Sequence, residues 1–453
     1  MPDTPAVAFP CTRLPDGDRE ARLLGLYPQV QEGRWMERVK VLGGVLTADQ
    51  WRTLAAIARQ HTPAAPLHLT TRQDIELHDL TAESVPAVQE RLAQVRLTTL
   101  GAGGDSVRNI TVCPCAGVAP GGVELLPLAW DIRLALEAME GILALPRKFK
   151  ISLSCGEACG QPWINDLGLV AERRDARWGF RVLVGGSLGP RPAAATPLFD
   201  WLPPGDVLAC LWAVVRVFMA HGDREHRGRA RLRHMRERMG EDRFTALLRG
   251  AFAEAKTLRA WPEVLLGETG GGFPARLTLA FPNGDLAPDA ADALAALAAR
   301  DDVRVRITNH HRVLLFGRHE QHLRSLIANA GPLADAARPQ PAVVACPGIR
   351  WCARAVADTN RLADRIRTEL GDRLPPESAV CISGCPNGCA HSHVADFGLI
   401  GGVRREDGKI ADAYALLVGG GMGRGAKLAE PVARGLSADQ VIAEIGARAP
   451  AFR

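Results

Sequence analysis

The chain has 453 residues, and none of its apolar runs has the length and purity needed to span a bilayer. Its start, MPDTPAVAFPCTRLPDGD, lacks the basic-then-apolar order of an export signal, so a cytoplasmic protein is expected. Neither sign of charge dominates. A net charge of +5 permits an acidic partner without demanding one. The arginine run in HRGRARLRHMRERMG has no aromatic residues interleaved, so it reads as the solvated face of a helix and not as a nucleic-acid surface. A convincing dinucleotide site is also missing. VGGSLG and VGGGMGRG are glycine-rich, but neither sits in a βαβ unit followed by an acidic residue. What remains, at 47% hydrophobic and 23% charged, is an ordinary globular composition with room for a large core.

Cysteine is abundant. Eleven thiols, an odd number, in a chain expected to stay in a reducing compartment predict buried thiols or metal ligands rather than disulfides. In CISGCPNGCAHSHVADFGLIG, Cys381, Cys385 and Cys389 recur every fourth residue. Gly384, Pro386 and Gly388 among them break a helix, so the stretch reads as a tight loop that aims thiols. Upstream, CPGIRWC places five residues between Cys346 and Cys352, a poor match to zinc spacing. Four thiolates from two loops, Cys346, Cys352, Cys381 and Cys385, suit an iron–sulfur cluster. A zinc site using His391 or His393, or plain burial of the thiols, are the alternatives.

The chain also repeats itself. ERVKVLGGVLTADQWRTLAAIA with LHLTTRQDIELHDL, and ARLTLAFPNGDLAPDAADALAALA with VRVRITNHHRVLLFG, each read as strand, turn, amphipathic helix and strand. SCGEACGQPWINDLGLV matches GCPNGCAHSHVADFGLI, and each precedes a glycine-rich strand end. One or two helices beginning at VLACLWAVV separate the halves, and residues 329–344 read as a linker. The expected fold class is therefore α+β, a duplication with mixed sheets and helices.

With LTTRQDIELH, DSVRNITVCP and LPRKFKISLS, these features resemble the sulfite and nitrite reductase family, whose members carry sirohaem and a 4Fe–4S cluster. The resemblance spans about residues 20–445. It implies a pseudo-twofold fold divided at 1–85, 86–258, 259–335 and 336–453, with the first and third parts pairing as ferredoxin-like half-repeats. It implies that Cys346, Cys352, Cys381 and Cys385 hold the cluster and that Cys385 is also the axial sirohaem ligand. Gly384, Asn387 and Asn109 would line the cofactors, and Arg147 would meet sirohaem carboxylates. Arg72, Arg108, Lys148 and Lys150 would cage the substrate anion and relay protons. The implied reaction is six-electron reduction of sulfite to sulfide, or of nitrite to ammonia, with electrons from a ferredoxin or a flavoprotein. Lys at both 148 and 150 favours the sulfite dianion, since nitrite reductases often carry Asn at the second position. A corrinoid-precursor oxygenase or a non-catalytic electron carrier would have no use for such a cage. A second group, Cys113, Cys115, Cys155 and Cys159, reads as a relic of the duplication, which implies about five irons per chain.

Overall fold

The computed structural model describes residues 8–156, 159, 161–264, 266–267, 272–375, 379–406, 408–422 and 426–449. Residues 1–7 of the stretch inspected for an export signal, and Gly423–Gly425 of VGGGMGRG, lie outside them.

In the first half, β1 (Leu26–Pro28) and β2 (Arg34–Val39) lead to the helix Ala48–His61, then to β3 (Leu67–Leu69) and β4 (Ile75–Thr81). The helix starts at a capping box. The Thr47 hydroxyl accepts the Gln50 amide N–H, and the Gln50 side chain accepts the Thr47 N–H. The strands β5 (Thr111–Val112), β6 (Ile151–Ser154), β7 (Leu167–Arg174), β8 (Arg177–Val184) and β9 (Thr196–Leu202) follow as a second sheet. Three helices, Val207–His221, Leu232–Met239 and Glu241–Leu258, then replace the one or two expected. The glycine between the last two, Gly240, has φ +81°, a conformation only glycine adopts readily, and it splits what reads as one run.

The second half repeats the plan. It runs β10 (Ala275–Ala280), β11 (Asp285–Leu286), the helix Pro288–Ala298, β12 (Val303–Ile307) and β13 (Arg312–Gly317). Then come β14 (Ala342–Ala345), β15 (Ala379–Ser383), β16 (Phe397–Glu406), β17 (Lys409–Val418) and β18 (Glu430–Leu436). The small units interlock: β11 pairs antiparallel with β3, and Leu54, Ile57 and Leu69 share one core with Leu279, Leu294 and Leu315. The large sheets are copies. Each makes two parallel pairings and then two antiparallel ones. Even the irregularity in the last pair recurs, between Phe180 and Val182 in one sheet and between Tyr414 and Leu416 in the other. The structure is thus the expected duplicated α+β fold of mixed sheets and helices.

Two expectations change. LHLTTRQDIELH and VRVRITNHHRVLLF are each a hairpin and not a single strand. The Thr70 amide bonds to the Asp74 carbonyl at 2.9 Å, and Thr308 to Arg312 at 2.9 Å. Gln73 (φ +63°) and His311 (φ +56°) turn the chain there. Pro204–His221 is, by length and composition, apolar enough to cross a membrane, contrary to the sequence reading. Its helix instead buries Val207, Leu211, Val214 and Phe218 in the core of the first large unit.

Candidate active site

Cys346 follows the end of β14, where its amide bonds to the Ile382 carbonyl at 3.0 Å. Cys352 ends the short helical turn Gly348–Trp351. Cys385 and Cys389 stand on the loop after β15, which Gly388 turns at φ +67°. The Gly384 amide donates to the Cys346 sulfur at 3.1 Å. A Cβ on Gly384 would stand 3.0 Å from that of Ala355, so the loop and the Cys352 segment approach as closely as a glycine allows.

Charge effects link one set of thiols, and packing links Cys381 to Cys346. Cys389 acts electrostatically on Cys346, Cys352 and Cys385, and Cys352 feels Cys385 as well. Cys381 lies inside β15 and packs with Val344, Ala390 and Ala395, a group against which Cys346 also packs; the charged neighbour that acts on its thiol is Asp396. A strand alternates its side chains: Val380 and Ile382 face the core of the second large unit, and Cys381 takes the opposite face with Val344. Burial pushes the thiols of Cys346 and Cys381 up to about 12, and those of Cys352 and Cys385 upward. Such thiols stay protonated near neutrality unless a metal replaces the proton. Among the described residues no three His, Cys, Asp or Glu side chains close around a single metal ion, which does not favour zinc. Separated thiols on two loops fit the vertices of a cluster.

The cationic side chains converge on the same point. Arg72 sits in the β3–β4 turn; its guanidinium donates to the Asn165 side-chain oxygen at 2.9 Å and the Asn109 carbonyl at 2.7 Å. Its Nε is buried without a partner, and burial lowers its pKa to about 10. Arg108 is buried too, donates to the Gly104 carbonyl at 2.7 Å, and is pushed down by burial. Lys148 and Lys150 flank Phe149, whose ring packs into the core 5.7 Å from that of Phe218. Alternation therefore turns both lysines away from the core. Burial, then Arg231 and Arg108, lower Lys148 to about 7; burial, then Arg72 and Lys148, hold Lys150 well below its ordinary value. The Cys389 thiol opposes both shifts through its charge.

The remaining expected residues have other partners. Arg147 donates to Asp105 at 3.0 Å, and Asp105 also holds Arg227 at 2.7 Å. That ion pair occupies Arg147 in this structure. Asn109 is buried and its amide donates to the carbonyls of Val41 at 2.6 Å and Arg72 at 3.2 Å, so it clamps the Arg72 turn. Asn387 is exposed and hydrogen-bonds the Cys385 thiol through backbone and side chain.

Sequence reasoning missed Arg231 and His310, and weighed His391 only as a zinc ligand. The arginine run is not all solvated: Arg231 is buried and paired with Asp166 at 3.0 and 2.6 Å. Asp166 also accepts the Lys150 amide at 2.8 Å. His391 (φ +64°) is buried with Nδ1 unpartnered, and burial followed by Lys150 holds its pKa well below the usual value. His310 holds the Arg72 position in the repeat and is solvent-exposed. Arg72, Arg108, Lys148 and Lys150 are buried or half-buried and have no ion-pair partner among the described residues, a charge set that the many carboxylates of sirohaem and a small oxyanion would match.

Three comparisons agree. Residues 103–256 and 340–453 match the nitrite and sulphite reductase 4Fe-4S domain, and residues 27–95 match the nitrite/sulfite reductase ferredoxin-like half domain. The chain is 32% identical to a ferredoxin–nitrite reductase of Synechococcus elongatus, over 94% of this chain and 88% of the relative. It is 30% identical to an assimilatory ferredoxin-dependent nitrite reductase of Haloferax mediterranei, over 93% of this chain and 80% of the relative. The solved structure of the Mycobacterium tuberculosis NirA protein superposes with a TM-score of 0.82 at 26% identity, covering 94% of this chain and 85% of that one.

Proposed function

Because the chain belongs to the nitrite and sulphite reductase family, an oxidoreductase family with sirohaem and a 4Fe–4S cluster as cofactors, we propose that it reduces nitrite to ammonia with electrons from ferredoxin. The observation that supports this reading most directly is the position of Cys389. It lies within electrostatic reach of three other thiols and of Lys148 and Lys150, so the cluster site meets the anion cage at one residue.

Cys346, Cys352, Cys385 and Cys389 are the proposed cluster ligands, with Cys389 taking the place expected for Cys381 and the bridging role expected for Cys385. The cofactor pair supplies the electrons. The side chains supply charge and protons. Arg72, Arg108 and Arg231 hold anionic oxygens by fixed N–H donors. Lys148, at about 7, can carry a proton near neutrality and release it to a departing oxygen. Asp166 fixes Arg231 and the Lys150 backbone together, so cage and strand move as one. Exposed Arg354 near Cys352 offers a cationic contact for an acidic ferredoxin; Arg350 beside it is paired with Asp285 at 3.1 Å.

Sulfite is the second reading, and Lys150 favours it: a dianion gains more from the extra cation than a monoanion does. The named relatives are nitrite reductases, which weighs toward nitrite. Steady-state assays with both anions and reduced ferredoxin separate the readings. A kcat/KM for nitrite well above that for sulfite is expected; a preference for sulfite reverses the order, and no turnover of either sinks the proposal.

A further inference from the structure

The two hairpin turns of the repeat meet each other. They are built alike. The Thr70 hydroxyl accepts the amides of Arg72 at 3.2 Å and Asp74 at 3.0 Å, and the Thr308 hydroxyl accepts those of His310 at 3.1 Å and Arg312 at 3.3 Å. Thr71 and Asn309 therefore hold the same place in the two turns, and they touch: the Asn309 side-chain amide donates to the Thr71 carbonyl at 3.0 Å. Asn309 is buried. Gln73 adds a second tie between the halves, donating to the Val112 carbonyl at 2.8 Å and to the Ile307 carbonyl at 3.0 Å. With Asn109 on the Arg72 carbonyl, the first turn is held at Thr71, Arg72 and Gln73 alike.

That fixed turn reaches one atom of the cysteine loop in the second half. The Thr71 hydroxyl donates to the Cys389 carbonyl at 2.7 Å, across 318 residues of sequence. The N–H of the same peptide unit, that of Ala390, donates to the Ser383 hydroxyl at 3.2 Å, and Ser383 lies 2.8 Å from the Ser392 hydroxyl. Both serines are buried. One peptide unit is thus held at its oxygen by the first half and at its nitrogen by the second. A planar unit fixed at both ends leaves the Cys389 Cα little freedom, and so limits where its thiol can point. Threonine suits the task, because its branched Cβ stiffens χ1 and keeps the hydroxyl aimed.

The matching loop of the first half is held differently. Cys159 precedes Gln161 as Cys389 precedes His391, and Gln161 and His391 are both left-handed, at φ +59° and +64°. The Cys159 carbonyl accepts the hydroxyl of Ser154, within its own half. Against the expectation from sequence, Cys159 is also joined to Cys113 as a disulfide, with Cα atoms 5.3 Å apart. Asn309, in the place of Thr71, donates to Thr71 instead. The clamp across the halves serves the loop of the proposed ligands.

We infer that Thr71 is a positioning residue for the reaction: its hydroxyl sets the Cys389 backbone against the turn that carries Arg72, so the ligand thiolate and the anion-binding guanidinium keep one spacing. Asn309 holds Thr71 in turn. The inference rests on the reading of Cys389 as a cluster ligand.

The test compares Thr71→Val, which keeps the shape and loses the donor, with Thr71→Ser, which keeps the donor. In the cofactor-free chain the Ala390 amide should exchange with deuterium about fivefold faster in Thr71→Val, the worth of one hydrogen bond, and near the parent rate in Thr71→Ser. In the reconstituted chain Thr71→Val should shift the sirohaem absorption and lower kcat for nitrite, with KM changed less; Thr71→Ser should recover both. Asn309→Ala, which frees the Thr71 carbonyl, should speed Ala390 exchange and move the same absorption. Unchanged exchange in Thr71→Val overturns the inference. So does faster exchange with an unmoved sirohaem band, which marks a purely structural contact, and so does a Thr71→Ser that behaves as Thr71→Val. Failure of the ligand reading looks different: Cys389→Ser would then keep both cofactors, whatever the Ala390 exchange. If Thr71→Val does not fold, Asn309→Ala decides by the same exchange and absorption.

Discussion

Asp166 accepts both arms of Arg231, at 3.0 and 2.6 Å, with its carboxylate wholly buried and the guanidinium nearly so. The same carboxylate takes the Lys150 amide, so one acid ties a helix start to the lysine strand. Removing one member of a buried pair strands the other's charge, which costs about 3–5 kcal/mol. Asp166→Asn should therefore lower the denaturant midpoint of the chain sharply. Asp166→Leu combined with Arg231→Met should recover most of that loss, because a hydrophobic pair leaves no charge behind. An unchanged midpoint for Asp166→Asn would show that the contact contributes nothing to folding.

Lys150 should discriminate between substrates. Its removal in Lys150→Asn takes one cation from a cage of limited solvent access, where a single donor is worth roughly 10²-fold in rate. The loss should fall on sulfite more than on nitrite, since the dianion carries the larger charge. The check is kcat/KM for each anion in the variant and the parent. Equal losses would mean that Lys150 does not read substrate charge.

Lys148 predicts a pH dependence in the cofactor-free chain. Its ordinary value of 10.5 falls to about 7 through burial and the neighbouring arginines. Between these values the unfolded chain binds the proton and the folded chain does not, so stability rises with pH from about 7 to 10.5. Lys148→Met removes the cost of the buried charge. The variant should be more stable than the parent below about pH 7, and the gain should shrink toward pH 10.5. Urea midpoints at several pH values measure the difference; a gain independent of pH would contradict the shift.

How much of this was legible in the sequence depended on range. The duplication was, because alternation and helical period are local and recur in both halves. The turn at Arg72 was not: LTTRQDIE alternates well enough to pass for one strand, and only the left-handed Gln73 breaks it. Arg231 was hidden for a different reason. An arginine in a basic run looks solvated unless its carboxylate is known, and Asp166 lies 65 residues away. CISGCPNGC holds C-x3-C twice, so spacing alone does not separate Cys381 from Cys389 as a ligand.

That last ambiguity has a direct test. If Cys389 completes the ligand set, Cys389→Ser should lose the cluster and the sirohaem with it, since one residue serves both sites. Cys381→Ala should keep both cofactors, with iron content and visible spectrum unchanged. Its cost is a small cavity among Val344, Ala390 and Ala395, on the order of 1 kcal/mol of stability. The spectra of the two variants, taken after the same reconstitution, decide between the sets. Loss of the cluster in Cys381→Ala with retention in Cys389→Ser would restore the ligand set that spacing first suggested.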